Sequence, residues 1–95
     1  MKKLEIILSQ AIDEDFSRLC EVREVGRHFT KSVGVMGKGN TIPKMADETW
    51  PQENVHYMMI VEDSEVESIR QIVEYLRTQF PDEGIAGFVT DCEPL

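Results

Sequence analysis

The chain has few cysteines, no long apolar run and no excess of basic residues, and each absence excludes a class of protein. Cys20 and Cys92 are the only cysteines, and they lack the paired spacing of a zinc site. No apolar run approaches the ~20 residues that a membrane-spanning helix needs. The start Met1–Glu5 lacks the apolar core of a signal peptide. We therefore expect a cytoplasmic protein with reduced thiols.

Basic residues are outnumbered by acidic ones, which argues against a nucleic-acid partner. Lys and Arg total 10 against 18 Asp and Glu, for a formal charge of −8. The basic residues are scattered along the chain, so no local patch offsets the repulsion of a phosphate backbone. An RNA-recognition module is further disfavoured because Tyr57 is the only aromatic residue of the predicted first and third strands that could stack on a base.

Motifs for catalysis are also absent. The sequence contains no nucleophile elbow, no His-Glu-x-x-His run and no Walker-type loop. His28 and His56 are predicted to be ordinary strand residues, and Cys20 to be a small core residue. We therefore predict that the protein is not an enzyme and has no cofactor.

What is present is an alternation of strand and helix patterns. Apolar alternation predicts strands, and apolar residues at helical spacing predict helices. The predicted order is strand 4–8, helix from Asp13 to near Gly26, strand 28–36, strand 55–62, helix from Ser64 to near Phe80, and strand 85–91. Asp13 is the candidate N-cap of the first helix, and Ser64 with Glu67 would form a capping box for the second. The order is that of a ferredoxin-like α+β fold, with a four-stranded antiparallel sheet and two helices on one face, in a single domain 1–95.

The third predicted strand is apolar on both faces. Val55, Tyr57 and Met59 point to one side, and Met58 and Ile60 point to the other. A single helical layer covers only one side of such a sheet. The sequence therefore predicts that another copy of the chain covers the second side.

Residues 37–54 form a long loop between the second and third strands. It opens with Gly37-Lys38-Gly39-Asn40, whose permissive backbone, free amides and single cation are the ingredients of an anion-binding nest. Loops of this length inside a compact domain are usually functional or disordered. Trp50, the only tryptophan, either packs back onto the domain or contacts a partner.

A metal site is an alternative function. Copper or zinc would accept His28, His56, Met58, Met59 and Cys92 as ligands, but the five residues are spread singly over the predicted elements and show no ligand spacing. We prefer the interpretation that Met58 and Met59 fill gaps in the core and at an interface. We therefore name no metal ligand.

Four segments together resemble the PII signalling superfamily. The start Lys3–Leu8 is similar to the family's first strand, and Gly34–Asn40 is similar to the glycine-rich, basic segment where its T-loop begins. Glu62–Ile69 resembles the start of its second helix, and Gly84–Glu93 resembles its B-loop and fourth strand. The resemblance extends over nearly the whole chain.

The resemblance implies a homotrimer that binds small ligands, typically adenine nucleotides, in clefts between subunits. The residues it assigns to ligand binding lie in the T-loop base and the B-loop: Gly37, Lys38, Gly39, Asn40, Gly84, Ile85, Ala86 and Gly87. Residues 37–54 correspond to the T-loop, which would contact a target protein such as a membrane transporter or a metabolic enzyme. Related CutA-like trimers are associated with divalent cations, which gives the metal-binding alternative. A small-molecule regulatory domain of the ACT type shares the strand order and is a second alternative.

The chain departs from the family pattern at three places. Ala86 stands where the family has a phosphate-binding lysine, the tail that ends at Leu95 lacks the usual arginines, and the loop has no tyrosine for nucleotidylation. Each lost charge-assisted contact to phosphate is worth about 1.5–3 kcal/mol. The sequence therefore predicts a divergent PII-like sensor of a less charged ligand than ATP, such as a nucleoside monophosphate, a cyclic nucleotide or a small anion.

Overall fold

A computed structural model describes residues 1–95, which form one four-stranded sheet and two α-helices. The elements are β1 (Lys2–Ser9), α1 (Asp13–Arg23), β2 (Phe29–Val35), β3 (Asn54–Val61), α2 (Val66–Gln79) and β4 (Ile85–Asp91). Short 3-10 turns at Gln10–Ile12 and Asp63–Glu65 lead into the two α-helices. The strands pair antiparallel in the order β2-β3-β1-β4. The predicted ferredoxin-like α+β architecture is confirmed.

The core lies between the sheet and the helices. Alternate residues of β1 and β3 point into it, and the burial of β3 alternates along its whole length as its sequence predicts. The helical spacing that predicted the second helix is confirmed, since its apolar residues Ile69, Ile72, Val73 and Leu76 form the buried stripe of α2. Phe16 and Cys20 are the buried residues of α1. Neither helix is both long enough and apolar enough to cross a membrane.

The opposite face of the sheet is not covered by a helix. Ile7 and Phe88 are exposed on it, and Met58 and Ile60 are half-buried. The same face also carries a polar contact, because Nε2 of His56 lies 3.5 Å from Oε1 of Glu5. The uncovered face is therefore apolar in parts, with charged side chains between the apolar ones.

The predicted start of the first helix is wrong in detail. Asp13 is the first residue of α1 and does not cap it. The chain turns earlier, at Ser9, whose hydroxyl accepts a hydrogen bond from the amide of Ala11. Asp13 is thereby free to bind across the fold, and its carboxylate contacts Tyr57 and Lys31.

The capping box of the second helix is also misplaced in the sequence prediction. The structure forms it between Glu62 and Glu65, whereas the sequence prediction used Ser64 and Glu67. The 3-10 turn places the start of the helical segment earlier, at Asp63. Oε2 of Glu65 accepts a hydrogen bond from the amide of Glu62 at 2.7 Å. The other oxygen of Glu65 accepts from the amide of Gly26 at 2.9 Å. One side chain therefore joins the turn that precedes α2 to the middle of the α1–β2 connection.

Candidate functional site

The long loop between β2 and β3 is closed near its start. Gly37 and Lys44 exchange two backbone hydrogen bonds of 2.7 Å, which makes residues 37–44 a small hairpin. We call this segment the hairpin 37–44. Farther along, the amide of Ala46 donates to the carbonyl of Gln52 at 3.1 Å. The loop therefore consists of two closed segments, the hairpin 37–44 and the turn 46–52.

The turn 46–52 carries the tryptophan at its tip. The amide of Trp50 donates to the carboxylate of Asp47 at 2.6 Å, and the amide of Asp47 donates back to the carbonyl of Trp50. This reciprocal bonding fixes a tight turn. Trp50 is 41 % exposed, so it does not pack fully onto the domain.

The corner between β1 and α1 anchors both of the loops that the sequence assigned to ligand binding. The amide of Ser9 donates to the carbonyl of Gly84 at 2.9 Å, and the next amide, that of Gln10, donates to the carbonyl of Glu53 at 3.0 Å. Ser9 itself is buried. The end of the long loop and the residues before β4 are therefore held at the same corner of the sheet.

A groove of about 890 Å³ lies between the hairpin 37–44 and residues 83–86. We call it the loop groove. Its volume is within the range of about 300–1,000 Å³ that small-molecule sites occupy. It extends onto the uncovered sheet face, where Ile7, His56 and Phe88 contribute to its lining.

Seven of the eight residues that the sequence assigned to ligand binding line this one groove. They are Gly37, Lys38, Gly39, Asn40, Gly84, Ile85 and Ala86. Two of the segments are in contact, because a Cβ on Gly84 would lie 3.0 Å from the hydroxyl of Thr41. The close approach explains a glycine at this position. The anion-nest pattern and the family resemblance together therefore named residues from both walls of the groove.

Gly87 lies elsewhere. It pairs with Ile6 across the sheet and faces the helices, where a Cβ would lie 3.0 Å from Cδ1 of Ile6. Because side chains alternate along a strand, Gly87 and Ala86 point to opposite faces. Gly87 therefore belongs to a smaller cleft beside α2 and not to the loop groove.

Three cations line the loop groove, and the sequence identified only one of them. Lys38 is exposed on the hairpin 37–44, as its loop position predicts. Lys44 closes the hairpin and is 3 % exposed, with its ammonium group 3.0 Å from the carbonyl of Ile42. Arg77 comes from α2 and donates two hydrogen bonds to the carbonyl of Ile85, at 3.2 and 3.4 Å. Lys44 and Arg77 therefore supply positive charge in a groove where Ala86 supplies none.

Two carboxylates also line the loop groove. Glu5 lies on the uncovered face of β1, and Glu83 directly precedes the glycine that packs against Thr41. Oε2 of Glu83 lies 4.0 Å from Nζ of Lys44 and has no hydrogen-bond partner although it is buried. With three cations and two carboxylates, the lining carries a net charge of +1 within a chain of net charge −8. The local charge of the loop groove therefore favours the binding of an anion, although the chain as a whole is negative.

The candidate metal ligands do not come together. No group of three or more His, Cys, Asp or Glu side chains is close enough to hold a metal ion. The carbonyl of His28 pairs with Ile60, whereas His56 pairs with Ser32, about 13 Å farther along the sheet. Met58 and Met59 point to opposite faces.

No protein-family model matches the chain, and no curated protein sequence matches it. The fold does match solved structures. CPII from Thiomonas intermedia K12, a nitrogen regulatory PII-like protein solved with ADP, AMP and bicarbonate, superposes with a TM-score of 0.70 at 23% identity, over 94% of this chain and 82% of that one.

Two further structures give the same result. CPII bound to ADP and bicarbonate matches with a TM-score of 0.69 at 24% identity, over 94% of this chain and 82% of that one. A PII-like signaling protein from Thermus thermophilus matches with a TM-score of 0.58 at 17% identity, over 94% of this chain and 83% of that one. The chain therefore has the fold of the PII-like proteins.

Proposed function

We propose that the protein is a PII-like regulatory protein that binds an adenine nucleotide or another small anion in the loop groove. The observation that carries the proposal is the convergence of the hairpin 37–44 and residues 83–86 on one groove of about 890 Å³. The groove combines three cations with apolar side chains such as Val35, Ile42 and Ile85. A base and ribose can pack on the apolar part, and the anionic group can pair with the cations.

The adenine nucleotides and bicarbonate found with CPII support this ligand class, since the two chains share a fold. In the proposal, Gly37, Lys38, Gly39 and Asn40 contact the ligand from one wall. Gly84, Ile85 and Ala86 contact it from the other. The role is binding and signalling, without a chemical step.

The working unit in this proposal is a homotrimer, with the uncovered sheet face as its interface. That face exposes Ile7 and Phe88, and removing them from water on assembly stabilises the complex at roughly 25 cal/mol per Å² of apolar area. The loop groove extends onto the same face, because Phe88 also lines it. A neighbouring copy would therefore border the ligand site.

The signal in this proposal passes through residues 37–54. A ligand in the loop groove would contact the hairpin 37–44 and change the position of the turn 46–52, whose exposed Trp50 is available to a target protein. A membrane transporter or a metabolic enzyme is the kind of target we propose. Such a ligand-dependent change of a loop is a common form of switch.

Calorimetric titration with ATP, ADP, AMP, cyclic AMP and bicarbonate tests the ligand proposal. We expect saturable binding by at least one nucleotide. Lys38→Ala should weaken that binding, whereas Arg27→Ala, an exposed cation outside the loop groove, should not. Absence of binding by all five compounds would reject the proposal.

Sedimentation velocity tests the assembly. The wild-type protein should sediment at about 33 kDa, three times the chain mass of 10.9 kDa. Phe88→Asp should produce monomers, and Val22→Asp, on the exposed side of α1, should leave the trimer intact. A wild-type species of 10.9 kDa at working concentration would contradict the trimer.

A further inference from the structure

Lys44 is the one lysine whose side chain is almost fully enclosed. The side chain is 4 % exposed, and its ammonium group makes a single hydrogen bond, to the carbonyl of Ile42 at 3.0 Å. An ammonium group has three donors, so two remain without a partner within hydrogen-bond distance in the protein. Because a buried charge is costly unless it is paired, Lys44 requires an anion close by.

Glu83 supplies that anion only in part. Its Oε2 lies 4.0 Å from Nζ of Lys44, beyond hydrogen-bond distance, and is buried without a partner. The side chain as a whole is 23 % exposed, so it has an open route to solvent. The carboxylate is therefore near enough to neutralise Lys44 but is not locked to it.

The two residues belong to opposite walls of the loop groove. Lys44 closes the hairpin 37–44 through its two backbone hydrogen bonds to Gly37. Glu83 precedes Gly84, which is bonded to Ser9 and packs against Thr41. The charge pair thus joins the two walls of the loop groove.

We propose that Lys44 and Glu83 form an anion subsite that the protein itself occupies. The carboxylate of Glu83 stands in for the anionic group of a ligand, and a ligand reaches Lys44 by displacing that carboxylate towards solvent. This inference rests on the proposed function, because it concerns the same loop groove. It adds that Glu83 determines which anionic ligands bind there.

The chemical consequence is selection by charge. A monophosphate ester carries about −1.5 to −2 charges at neutral pH, and di- and triphosphates carry more. The displaced carboxylate of Glu83 remains at the wall of the same groove, so it repels each added phosphate charge of the ligand. The subsite therefore favours a ligand with one compact anionic group, such as a nucleoside monophosphate or a small carboxylate, over polyphosphates.

Thermal unfolding in inorganic phosphate tests the subsite without any nucleotide. Glu83→Gln keeps the shape of the side chain but removes its charge, which leaves the buried ammonium group of Lys44 without a counter-ion. A free phosphate ion should then bind and raise the melting temperature, because a ligand specific for the native state stabilises it. The matched control is Asp82→Asn, which changes the net charge equally, in the same turn, outside the groove lining.

The expected result is a phosphate-dependent rise in melting temperature for Glu83→Gln that exceeds those of wild type and Asp82→Asn at matched sodium chloride concentration. In the double variant Glu83→Gln with Lys44→Met the extra rise should vanish. Equal responses of Glu83→Gln and Asp82→Asn would overturn the proposal. That outcome is independent of whether any nucleotide binds.

Nucleotide titration tests the selection itself. Glu83→Gln should tighten ATP binding by roughly tenfold or more relative to AMP binding, and Asp82→Asn should leave the ratio of the two affinities unchanged. An unchanged ratio in Glu83→Gln, with nucleotide bound by wild type, would overturn the charge selection and leave the proposed function standing. If no nucleotide binds but phosphate raises the melting temperature of Glu83→Gln, the nucleotide function is rejected and the anion subsite is retained.

Discussion

The hydroxyl of Tyr57 donates a hydrogen bond of 2.5 Å to the carboxylate of Asp13, which joins the middle of β3 to the first turn of α1. Lys31 of β2 contacts the other oxygen of the same carboxylate at 2.6 Å. The Tyr57 ring is itself buried, with its centroid 5.1 Å from that of Phe16 and 5.4 Å from that of Phe29. This cluster fixes the edge strand that leads into the long loop.

Tyr57→Phe should therefore destabilise the protein. The substitution keeps the ring contacts and removes a hydrogen bond to a charged group, which is worth about 1–3 kcal/mol. Urea unfolding monitored by circular dichroism measures the loss. Tyr75→Phe is the matched control, because Tyr75 is 52 % exposed on α2 and should change the free energy of unfolding by less than about 0.5 kcal/mol. Equal effects of the two substitutions would show that the contact with Asp13 contributes nothing.

Stability should fall at high pH through Cys20. Burial raises the pKa of the Cys20 thiol from 9.0 to about 11. As the pH rises, the unfolded chain loses this proton before the folded protein does. The contribution of the protonated thiol to the free energy of unfolding is therefore complete below about pH 9 and is lost as the pH rises towards about 11. Burial, followed by the hydrogen bond to Asp13, raises the pKa of Tyr57 as well, so the decline continues at still higher pH.

The check is urea unfolding at about pH 8 and about pH 10.5. Cys20→Ala should reduce the loss of unfolding free energy between the two conditions by something on the order of 1–2 kcal/mol. Cys92→Ala should not, since Cys92 lies outside the core. A parallel decline in wild type and Cys20→Ala would assign the pH dependence to other groups.

The double contact of Glu65 should make it the most important acidic residue at the start of α2. Glu65→Ala removes the acceptors of the amides of Glu62 and Gly26, and we expect a cost of about 1–2 kcal/mol. Glu67→Ala removes only an exposed pair with Arg70 and should cost less than about 0.5 kcal/mol. Thermal unfolding of both variants makes the comparison, and a larger loss in Glu67→Ala would contradict it.

The contact between Gly84 and Thr41 should matter for ligand binding. Gly84→Ala places a Cβ 3.0 Å from the Thr41 hydroxyl, so the Thr41 side chain must shift by a few tenths of an ångström, which should change how the hairpin 37–44 packs on that wall of the loop groove. We expect nucleotide affinity to fall roughly tenfold, a loss of about 1.4 kcal/mol in binding free energy. Gly39→Ala introduces a Cβ with no atom within 4 Å and should retain the affinity unless the ligand itself occupies that space. Unchanged affinity in Gly84→Ala would show that the packing of the two loops is not required.

The fold could be predicted because its signals are local and periodic. The alternation of β3 and the stripe of α2 each indicate which residues are buried, and β4 was predicted with the bounds that the structure has. The caps at Asp13 and Ser64 were misplaced because a 3-10 turn precedes each helix, and such turns have no periodic signature.

The loop groove could be predicted only in part. The anion-nest pattern marked Gly37, and the resemblance to the PII B-loop marked Gly84. Both glycines lie close to a side chain of another segment of the same chain. The burial of Lys44 and its pairing with Glu83 depend on how two loops that are distant in sequence pack together at the β1–α1 corner. A local sequence pattern does not indicate such a long-range contact. The convergence of Arg77 on Ile85 is hidden for the same reason.

The most direct test of the central claim is a titration of ¹⁵N-labelled protein with AMP, followed amide by amide in two-dimensional NMR spectra. The account predicts saturable shifts concentrated in residues 37–44 and 83–86, the two walls of the loop groove. Spectra that do not change, or shifts concentrated around Phe16 of α1 and Phe29 at the start of β2, outside the loop groove, would contradict it.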